Sequence, residues 1–232
     1  MIVRTSLRAR ELGLRHPRVW RLTSERPLLS AAGLTADEAA SLQQPHRPVP
    51  AGYRELLSAL GYPSVVPAGE RLRELVATRG WQSHGAVVDA VTVATLRHGA
   101  GIGLHRAPLA GDGQDLLVTR AEGGERIVPA FSSKSRPIPS GDLVYGLTRD
   151  GRTVEPFAWL GKRDCDAAAH QLTADTHEAL LVVLGAPGED AVHSEEIGVT
   201  VAEVLAAARL ELTMTPVPLG ASEPDSNNPP GS

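Results

Sequence analysis

The sequence predicts a mixed α/β (α+β) protein in which a mostly antiparallel or mixed sheet packs against helices. Two patterns predict this class: apolar residues recur at helical spacing in the first part of the chain, and short β-favouring runs separated by turn signals follow. The third observation is composition, since 42% of the 232 residues are hydrophobic, enough for one sizeable core.

Helix signals come first along the chain. Thr35 precedes ADEAASL and Glu38 follows three residues later, which is the arrangement of a capping box. The segments GYRELLSAL and GERLRELVAT each place apolar residues on one helical face. These residues are Tyr53, Leu56, Leu57 and Leu60 in the first segment and Leu72, Leu75 and Val76 in the second. A further helix is predicted over Ala86–His98, with Gly99 as its C-terminal cap.

Strand signals dominate the second half of the chain. The runs DLLVTRA, ERIVPAF, DLVYGL and TVEPFAWL are separated by GDG, GG, PIPSG and RDG, a pattern typical of a β-meander with tight turns. The apolar run HEALLVVLGAPG fits a helix or a strand, and periodicity leaves both open. The segment EEIGVTVAEVLAAARLEL predicts a last helix.

Composition divides the chain into three parts. The proline cluster PHRPVP separates an arginine-rich, helical N-terminal segment (residues 1–50) from an α/β domain (residues 51–212), because each proline biases its predecessor away from helix. Residues 213–232 are rich in Pro, Ser, Asn and Gly and have little to bury, which predicts a disordered tail.

Charge is distributed unevenly. Residues 1–26 hold seven arginines against two glutamates, a charge of +5, whereas the whole chain carries −4 and the remainder therefore −9. The planar guanidinium fork suits phosphate contacts, so Arg8, Arg15 and Arg18 are candidates for binding an anionic partner. A solvated face in an arginine-rich sequence is the alternative.

Several function classes are disfavoured. The chain has no P-loop, no apolar stretch long enough to span a bilayer and no signal peptide, so we expect a cytoplasmic protein without a membrane partner. The single cysteine, Cys165, excludes an internal disulfide. It lies with Asp164, Asp166 and His170 in RDCDAAAH, but this set is short of ligands for a tetrahedral metal site, so a hydrogen-bonded loop is favoured. We expect no metal and no cofactor.

The middle of the chain resembles a known family. The segments that carry the resemblance are AGYRELLSALGYPS, GERLRELVATRGW, GAVVDAVTVATLRHGAGIGLHRAPLAGDGQDLLVTRAEGGERIVPAF, IPSGDLVYGL and LTADTHEALLVVLG. In this order they are similar to the tRNA-binding and editing domain of the phenylalanyl-tRNA synthetase β subunit and to its free-standing relatives. The resemblance spans about residues 51–210 and lies in the order of many weak motifs.

The matching positions include departures from the family pattern. They are Asp89, Thr92 and Thr95 on one helix, the turn Gly101–Gly103, the pair His105–Arg106, and the hairpin Gly124–Glu125. Thr92 stands where the family usually has asparagine, and His105–Arg106 replaces an aromatic residue followed by aspartate.

The resemblance implies a trans-acting deacylase that hydrolyses the ester of a mischarged aminoacyl-tRNA, in an editing-type domain. An aminoacyl ester is already activated, so the enzyme needs a positioned water, donors for the oxyanion and partners for the α-ammonium group. The residues implied for these roles are His105, Thr92 and Thr95 in catalysis, and Asp164, Asp166, Gly101, Gly103 and Trp159 in substrate binding. If the partner is a tRNA, the charge of the N-terminal segment makes Arg8, Arg15 and Arg18 the candidates for tRNA binding.

Two other functions remain open. The sparse catalytic inventory also fits a non-catalytic module that binds tRNA or aminoacyl-tRNA. A hydrolase of free amino-acid esters or amides would recognise the same ammonium group. The amino acid, the tRNA and the oligomeric state are not specified by the sequence.

Overall fold

A computed structural model describes residues 1–108, 113–162 and 164–220. Within these residues the helices are α1 (Leu7–Glu11), α2 (Ala36–Leu42), α3 (Gly52–Ala59), α4 (Ala68–Arg79), α5 (Ala86–His98) and α6 (Ala191–Ala207). The strands are β1 (Val3–Thr5), β2 (Arg18–Thr23), β3 (Ile102–Arg106), β4 (Asp115–Arg120), β5 (Arg126–Ile127), β6 (Arg136–Pro137), β7 (Leu143–Thr148), β8 (Glu155–Leu160), β9 (Cys165–Asp166), β10 (Glu178–Val183) and β11 (Thr213–Pro216). None of the helices in this part of the chain has the length and apolar character that crossing a bilayer requires.

The strands form two main sheets and a small hairpin. The first sheet has the order β1-β4-β7-β8-β9, and the second has the order β11-β2-β10-β3. The β1–β4 pair is parallel, while the other pairs of both sheets are antiparallel. Strands β5 and β6 pair separately. The predicted mixed α/β class with a mostly antiparallel or mixed sheet is therefore confirmed.

Strand β10 lies between two parts of the core. Leu181 and Val183 pack with α5 and α6, while Leu180 and Val182 pack against the first sheet. Successive side chains of a strand point to opposite faces, so a continuous apolar run suits a strand that is covered on both sides. The run HEALLVVLGAPG, for which periodicity left a helix and a strand open, therefore forms a strand. The order of layers is helices, second sheet, first sheet.

Several predicted elements are confirmed. Thr35 caps α2 and forms the capping box with Glu38. Helix α5 spans the predicted residues and ends at Gly99, whose φ of 67° is left-handed. Helix α3 buries its predicted apolar face. The runs DLLVTRA, DLVYGL and TVEPFAWL contain β4, β7 and β8.

Helix α4 forms as predicted but does not bury its apolar face. Leu75 is 42% exposed, and Leu72 is half-buried. The helix packs on α5 near its start, where Gly69 approaches the Gly99 carbonyl so closely that a Cβ atom would lie 2.4 Å from the oxygen. The leucines then face a groove between α4 and α5.

The N-terminal segment contains strands as well as the predicted helices. Strand β1 pairs with β4, and β2 lies between β11 and β10 in the second sheet. The helical description of residues 1–50 is thus incomplete, because β2 is stabilised by partners more than 150 residues away along the chain, such as Leu181 opposite Trp20. The local spacing of apolar residues does not predict pairing between strands so far apart in the sequence.

The predicted disordered tail is partly ordered. Residues 213–216 form β11, and Val3 bridges to Leu219 while its N–H donates to the Pro218 carbonyl over 2.8 Å. Backbone pairing, which does not need apolar side chains, gives this segment its order. The rest of the predicted tail, residues 221–232, lies outside the described residues.

Because β10 lies between two layers, we expect its buried side chains to contribute strongly to stability. Leu181→Ala leaves a cavity between the second sheet and the helices, so we expect the free energy of unfolding to fall by about 2–5 kcal/mol in urea titrations. The same substitution at the exposed Leu75 should cost less than about 1 kcal/mol. Equal losses at the two positions would contradict the layer assignment.

Candidate functional site

A cavity of about 240 Å³ lies between helix α3, the start of α4 and the strands of both sheets. Its walls are mainly apolar, formed among others by Tyr53, Leu56, Leu57, Ala158 and Leu184. Ligand pockets usually measure about 300–1,000 Å³, so this cavity suits a group no larger than an amino acid. Helix α3 contributes to it because its buried face, spaced as the sequence predicts, points at the sheets.

Two carboxylates stand at the wall of this cavity. Asp164 and Asp166 flank Cys165 in the short segment around β9, which pairs with β8. Residues two apart in an extended chain share a side, so both carboxylates face the same way. Burial raises the pKa of Asp164, against the effect of Arg71. Burial of the carboxylate by surrounding atoms, together with the charge of Asp164, raises the pKa of Asp166 to about 6, although the residue itself is exposed to solvent.

The acidic pair has little compensation from the protein. Arg71 in α4 lies near it, with Nη2 at 3.7 Å from Asp164 Oδ2. Among the described residues, the other Asp164 oxygen, Oδ1, is buried without a hydrogen-bond partner. Buried polar atoms normally have partners, so this oxygen remains available to accept a hydrogen bond from a cationic ligand.

A hydroxyl group stands at another wall. Tyr145 of β7 lines the cavity, and its phenol pKa is raised well above the usual value because the side chain is buried. Its oxygen lies 2.7 Å from His105 Nε2. Gly103 makes room for the pair, since a Cβ atom there would be 2.1 Å from the Tyr145 oxygen and 2.6 Å from His105 Nε2. The phenol stays protonated near neutral pH and remains a donor.

The Trp159 wall is fixed by a buried carboxylate. Trp159 Nε1–H donates to Asp142 Oδ2 over 2.7 Å, and the Tyr62 hydroxyl donates to Asp142 Oδ1 over 2.9 Å. Asp142 is only 3% exposed. The two hydrogen bonds join the loop after α3 to β8 and hold the indole ring at the cavity.

A second, larger cavity adjoins the first. It is a groove of about 570 Å³ between α4 and α5, and four residues border both spaces: Ala68, Arg71, Gly101 and Ile102. Leu72 and Leu75 give the groove an apolar floor, and Glu74 and Arg79 of α4 add charges of opposite sign. At Gly101 a Cβ atom would meet nothing within 4 Å. The junction of the two cavities is therefore open.

The structure brings together five of the predicted site residues. They all line the small cavity and are Gly101, Gly103, Trp159, Asp164 and Asp166. Arg71 and Tyr145 also line it. They lie in two of the segments that carry the resemblance, GERLRELVATRGW and IPSGDLVYGL, but neither was predicted as a site residue. The packing of α4 and β7 brings them to the cavity, and local spacing does not show that packing.

The three residues predicted to be catalytic lie elsewhere. Thr92 and Thr95 line the groove instead of the small cavity, and the Thr92 hydroxyl donates to the Val88 carbonyl of its own helix over 2.9 Å. His105 is fully buried behind Tyr145 and does not line either cavity. Asp89, the matching residue in the first turn of α5, has a structural role: its carboxylate accepts hydrogen bonds from Leu34 N–H and the Ser83 hydroxyl.

None of the three predicted tRNA-binding arginines lines either cavity, and Arg18 is half-buried. Arg8 forms an ion pair with Glu122 at 3.5 Å, and Arg18 forms one with Glu195 at 3.0 Å. Arg15 is exposed. The positive charge of the segment is thus partly balanced by acidic residues from elsewhere in the chain.

Comparisons with known proteins do not identify the family of this chain. No protein-family model and no curated protein matches the chain. Among solved structures, the chain is similar to an N-terminal fragment of the phenylalanyl-tRNA synthetase β subunit from Pyrococcus horikoshii, with 9% identity and a TM-score of 0.45. The alignment covers 94% of this chain and 54% of that chain, so the protein spans about half the length of that fragment. A likeness at this level supports neither a shared activity nor a shared site.

The raised pKa of Asp166 predicts a pH-dependent gain in stability on Asp166→Asn. The folded state holds the proton more tightly than the unfolded chain, so the ionised carboxylate lowers stability as pH rises from about 4 to about 6 and above. We expect the variant to have a higher melting temperature than the parent at pH 7.5 and little difference at pH 4. Thermal unfolding followed by circular dichroism measures this.

Asp175→Asn is the matched control. The Thr173 hydroxyl lowers the pKa of this exposed carboxylate, so its removal should change stability with the opposite sign at pH 7.5. A lower melting temperature for Asp166→Asn at pH 7.5 would show that the carboxylate has a stabilising partner in the protein.

Proposed function

We propose that the protein binds the charged 3′ end of a mischarged aminoacyl-tRNA and hydrolyses its aminoacyl ester, in trans to the synthetase that made the error. The observation that carries the proposal is the pair of adjoining cavities. The smaller has the size and the negative charge for an aminoacyl group, and the larger has room for the terminal nucleoside. The sequence resemblance supplies the reaction class.

Charge distinguishes an aminoacyl ester from a free amino acid. Both have an α-ammonium group, but the ester has lost its carboxylate. Asp164 supports this choice because its buried Oδ1 accepts no hydrogen bond from the described residues, and a charged N–H donor would satisfy it. Arg71 stands at the junction, where its guanidinium donors reach an ester carbonyl or a phosphate.

The groove offers a nucleoside apolar and hydroxyl contacts, whereas the small cavity offers charged groups. Its apolar floor at Leu72 and Leu75 offers a surface for a base, and the hydroxyls of Thr92 and Thr95 add polar groups near the junction. The sequence predicted catalytic roles for the threonines; in our proposal they contact the nucleoside, because they line the groove. The ester bond then lies near Gly101, where the two cavities meet.

The reaction needs one water and no protein nucleophile. In our proposal Asp166, whose pKa of about 6 lies near the working pH, takes a proton as the water oxygen bonds to the ester carbon. The bond from that carbon to the ribose oxygen then breaks, and the proton passes to the ribose oxygen. Tyr145 and Arg71 donate to the developing oxyanion. His105 acts through Tyr145 as a positioning residue.

Deacylation in vitro tests the proposal. We expect substoichiometric protein to shorten the lifetime of at least one ester in a panel of mischarged tRNAs that includes noncanonical amino acids. Asp164→Asn should lower kcat/KM by about 10- to 100-fold, mainly through KM, because a charged hydrogen bond to the ammonium group is lost. Asp166→Asn should lower kcat instead.

Two controls accompany this experiment. Asp37→Asn on the exposed side of α2 should leave both constants unchanged. Gly101→Leu, which places a side chain at the open junction, should block the tRNA substrate more than Gly101→Ala does. Hydrolysis no faster than in buffer for every ester would rule out the enzymatic proposal.

A non-catalytic binding module is the second candidate. The observation that favours it is the position of Thr92, Thr95 and His105, none of which lines the small cavity. A binder at saturating concentration lengthens the lifetime of the ester, whereas an enzyme shortens it. Turnover of a free amino-acid ester at the same rate as the tRNA ester would instead favour the hydrolase of small esters.

The arginine-rich segment makes a separate prediction. If Arg15 contacts a tRNA phosphate, Arg15→Gln should weaken tRNA binding and reduce the slope of log K against log salt by about 0.7–0.9, because one counterion release is lost. The triple change at Arg8, Arg15 and Arg18 should reduce it further, although two of these residues have acidic partners. Filter binding at several salt concentrations measures the slope.

Arg152→Gln, another exposed arginine, is the matched control and should leave the slope unchanged. Hydrolysis of a minimal aminoacyl-nucleotide should survive the triple change. If all variants share the parental slope, these arginines form a solvated face.

A further inference from the structure

Two buried histidines meet where α5 ends and α6 begins. His98 is the last residue of α5, and His193 lies in the first turn of α6. Their rings lie 5.7 Å apart in an edge-to-face arrangement, and their exposed fractions are only 2% and 5%. Glu196 follows His193 at the i+3 position, which places both side chains on one face of α6.

Three ring nitrogens of this pair lack hydrogen-bond partners in the described part of the chain. They are His98 Nδ1 and both nitrogens of His193. The carboxylate of Glu189 approaches His193 Nδ1 only to 3.9 Å, which is too long for a hydrogen bond. Buried polar atoms in native proteins nearly always have partners, so three unpaired nitrogens within one cluster indicate a ligand.

The hydrogen bonds around His98 fix its tautomer. Thr200 uses its hydroxyl hydrogen to donate to the Glu196 carbonyl over 3.0 Å. The same hydroxyl oxygen lies 2.8 Å from His98 Nε2, and it must therefore accept from an Nε2–H group. Neutral His98 then has its lone pair on Nδ1, the unpaired nitrogen. A ring nitrogen held in this way by a second residue is the usual arrangement of a metal-binding histidine.

We propose that His98, His193 and Glu196 bind a divalent transition metal ion of the zinc type. One ligand atom from each side chain lies within 4.8 Å of the other two. Bonds of about 2.0–2.1 Å in a tetrahedral site place ligand atoms about 3.4 Å apart, so the side chains close only slightly around the ion. Imidazole and carboxylate donors together suit zinc better than magnesium or calcium, which prefer oxygen alone.

The charges around the site are compatible with a cation. Arg47 pairs with Glu196 Oε2 at 2.7 Å, which leaves the other carboxylate oxygen for the ion. Arg97 is engaged by Glu203 at 3.3 Å, and Glu189 provides a further negative charge beside His193. Glu189 or a water molecule completes the fourth position.

The ion would join two segments that also line the small cavity. Gly101 follows His98 by three residues, and Gly185 precedes His193 by eight residues. The proposal does not depend on the deacylase activity.

Metal content and thermal stability of the full chain test the proposal. We expect the chelator-treated protein to take up one zinc ion per chain in calorimetric titration and to melt at a higher temperature when loaded. Replacement by cobalt should give the absorption of a tetrahedral ion. Absence of stoichiometric uptake, with an unchanged melting temperature, would overturn the proposal in favour of a structural histidine pair.

Variants connect uptake to these residues. His98→Gln and His193→Gln should each lower zinc affinity at least about 100-fold, and Thr200→Val should lower it about 10- to 100-fold by releasing the His98 ring. His84→Gln, at an exposed histidine, is the matched control and should bind zinc as the parent does. Because a buried histidine variant can fail to fold, Glu196→Ala at a half-buried position provides a second readout and should also lose affinity. Parental affinity in folded His193→Gln and Glu196→Ala would overturn the proposal.

Discussion

The structure depends on the need to cover an apolar strand on both faces. Strand β10 directs Leu180 and Val182 towards the first sheet, and Leu181 and Val183 towards the helices. A strand with two apolar faces is stable only between two layers, so α5 and α6 cover one side and the first sheet covers the other. The small cavity lies beside the end of this strand, where Val182 and Leu184 form part of its wall.

The sequence predicted the elements whose signals are local. The capping box of Thr35 and the apolar spacing of α3 and α5 were sufficient, because a helix satisfies its backbone within itself. It did not predict β2, in which arginines alternate irregularly with apolar residues and which gains its order from β10 and β11. The apolar face of α4 was predicted, but its exposure was not, because spacing reveals a face without revealing what covers it.

At the candidate site, too, some residues were predicted from local sequence and others reach the cavity only through packing. Asp164, Asp166 and Trp159 were identified as binding residues and do line one cavity. Tyr145 and Arg71 could not be found, since only the packing of β7 and α4 brings them there. The site also opposes stability. Burial raises the pKa of Asp164, and burial together with the charge of Asp164 raises the pKa of Asp166, so ionisation of these carboxylates lowers the stability of the fold.

The pairing of β1 has a consequence for the order of folding during synthesis. Its neighbours are β4, more than a hundred residues later, and the segment at Pro218 and Leu219. Strand β1 therefore leaves the ribosome long before either of its partners does. Until then its N–H and C=O groups lack their strand partners and are open to pairing with other chains. Contacts so distant along the chain slow folding, because closing such long loops costs entropy before the contacts form.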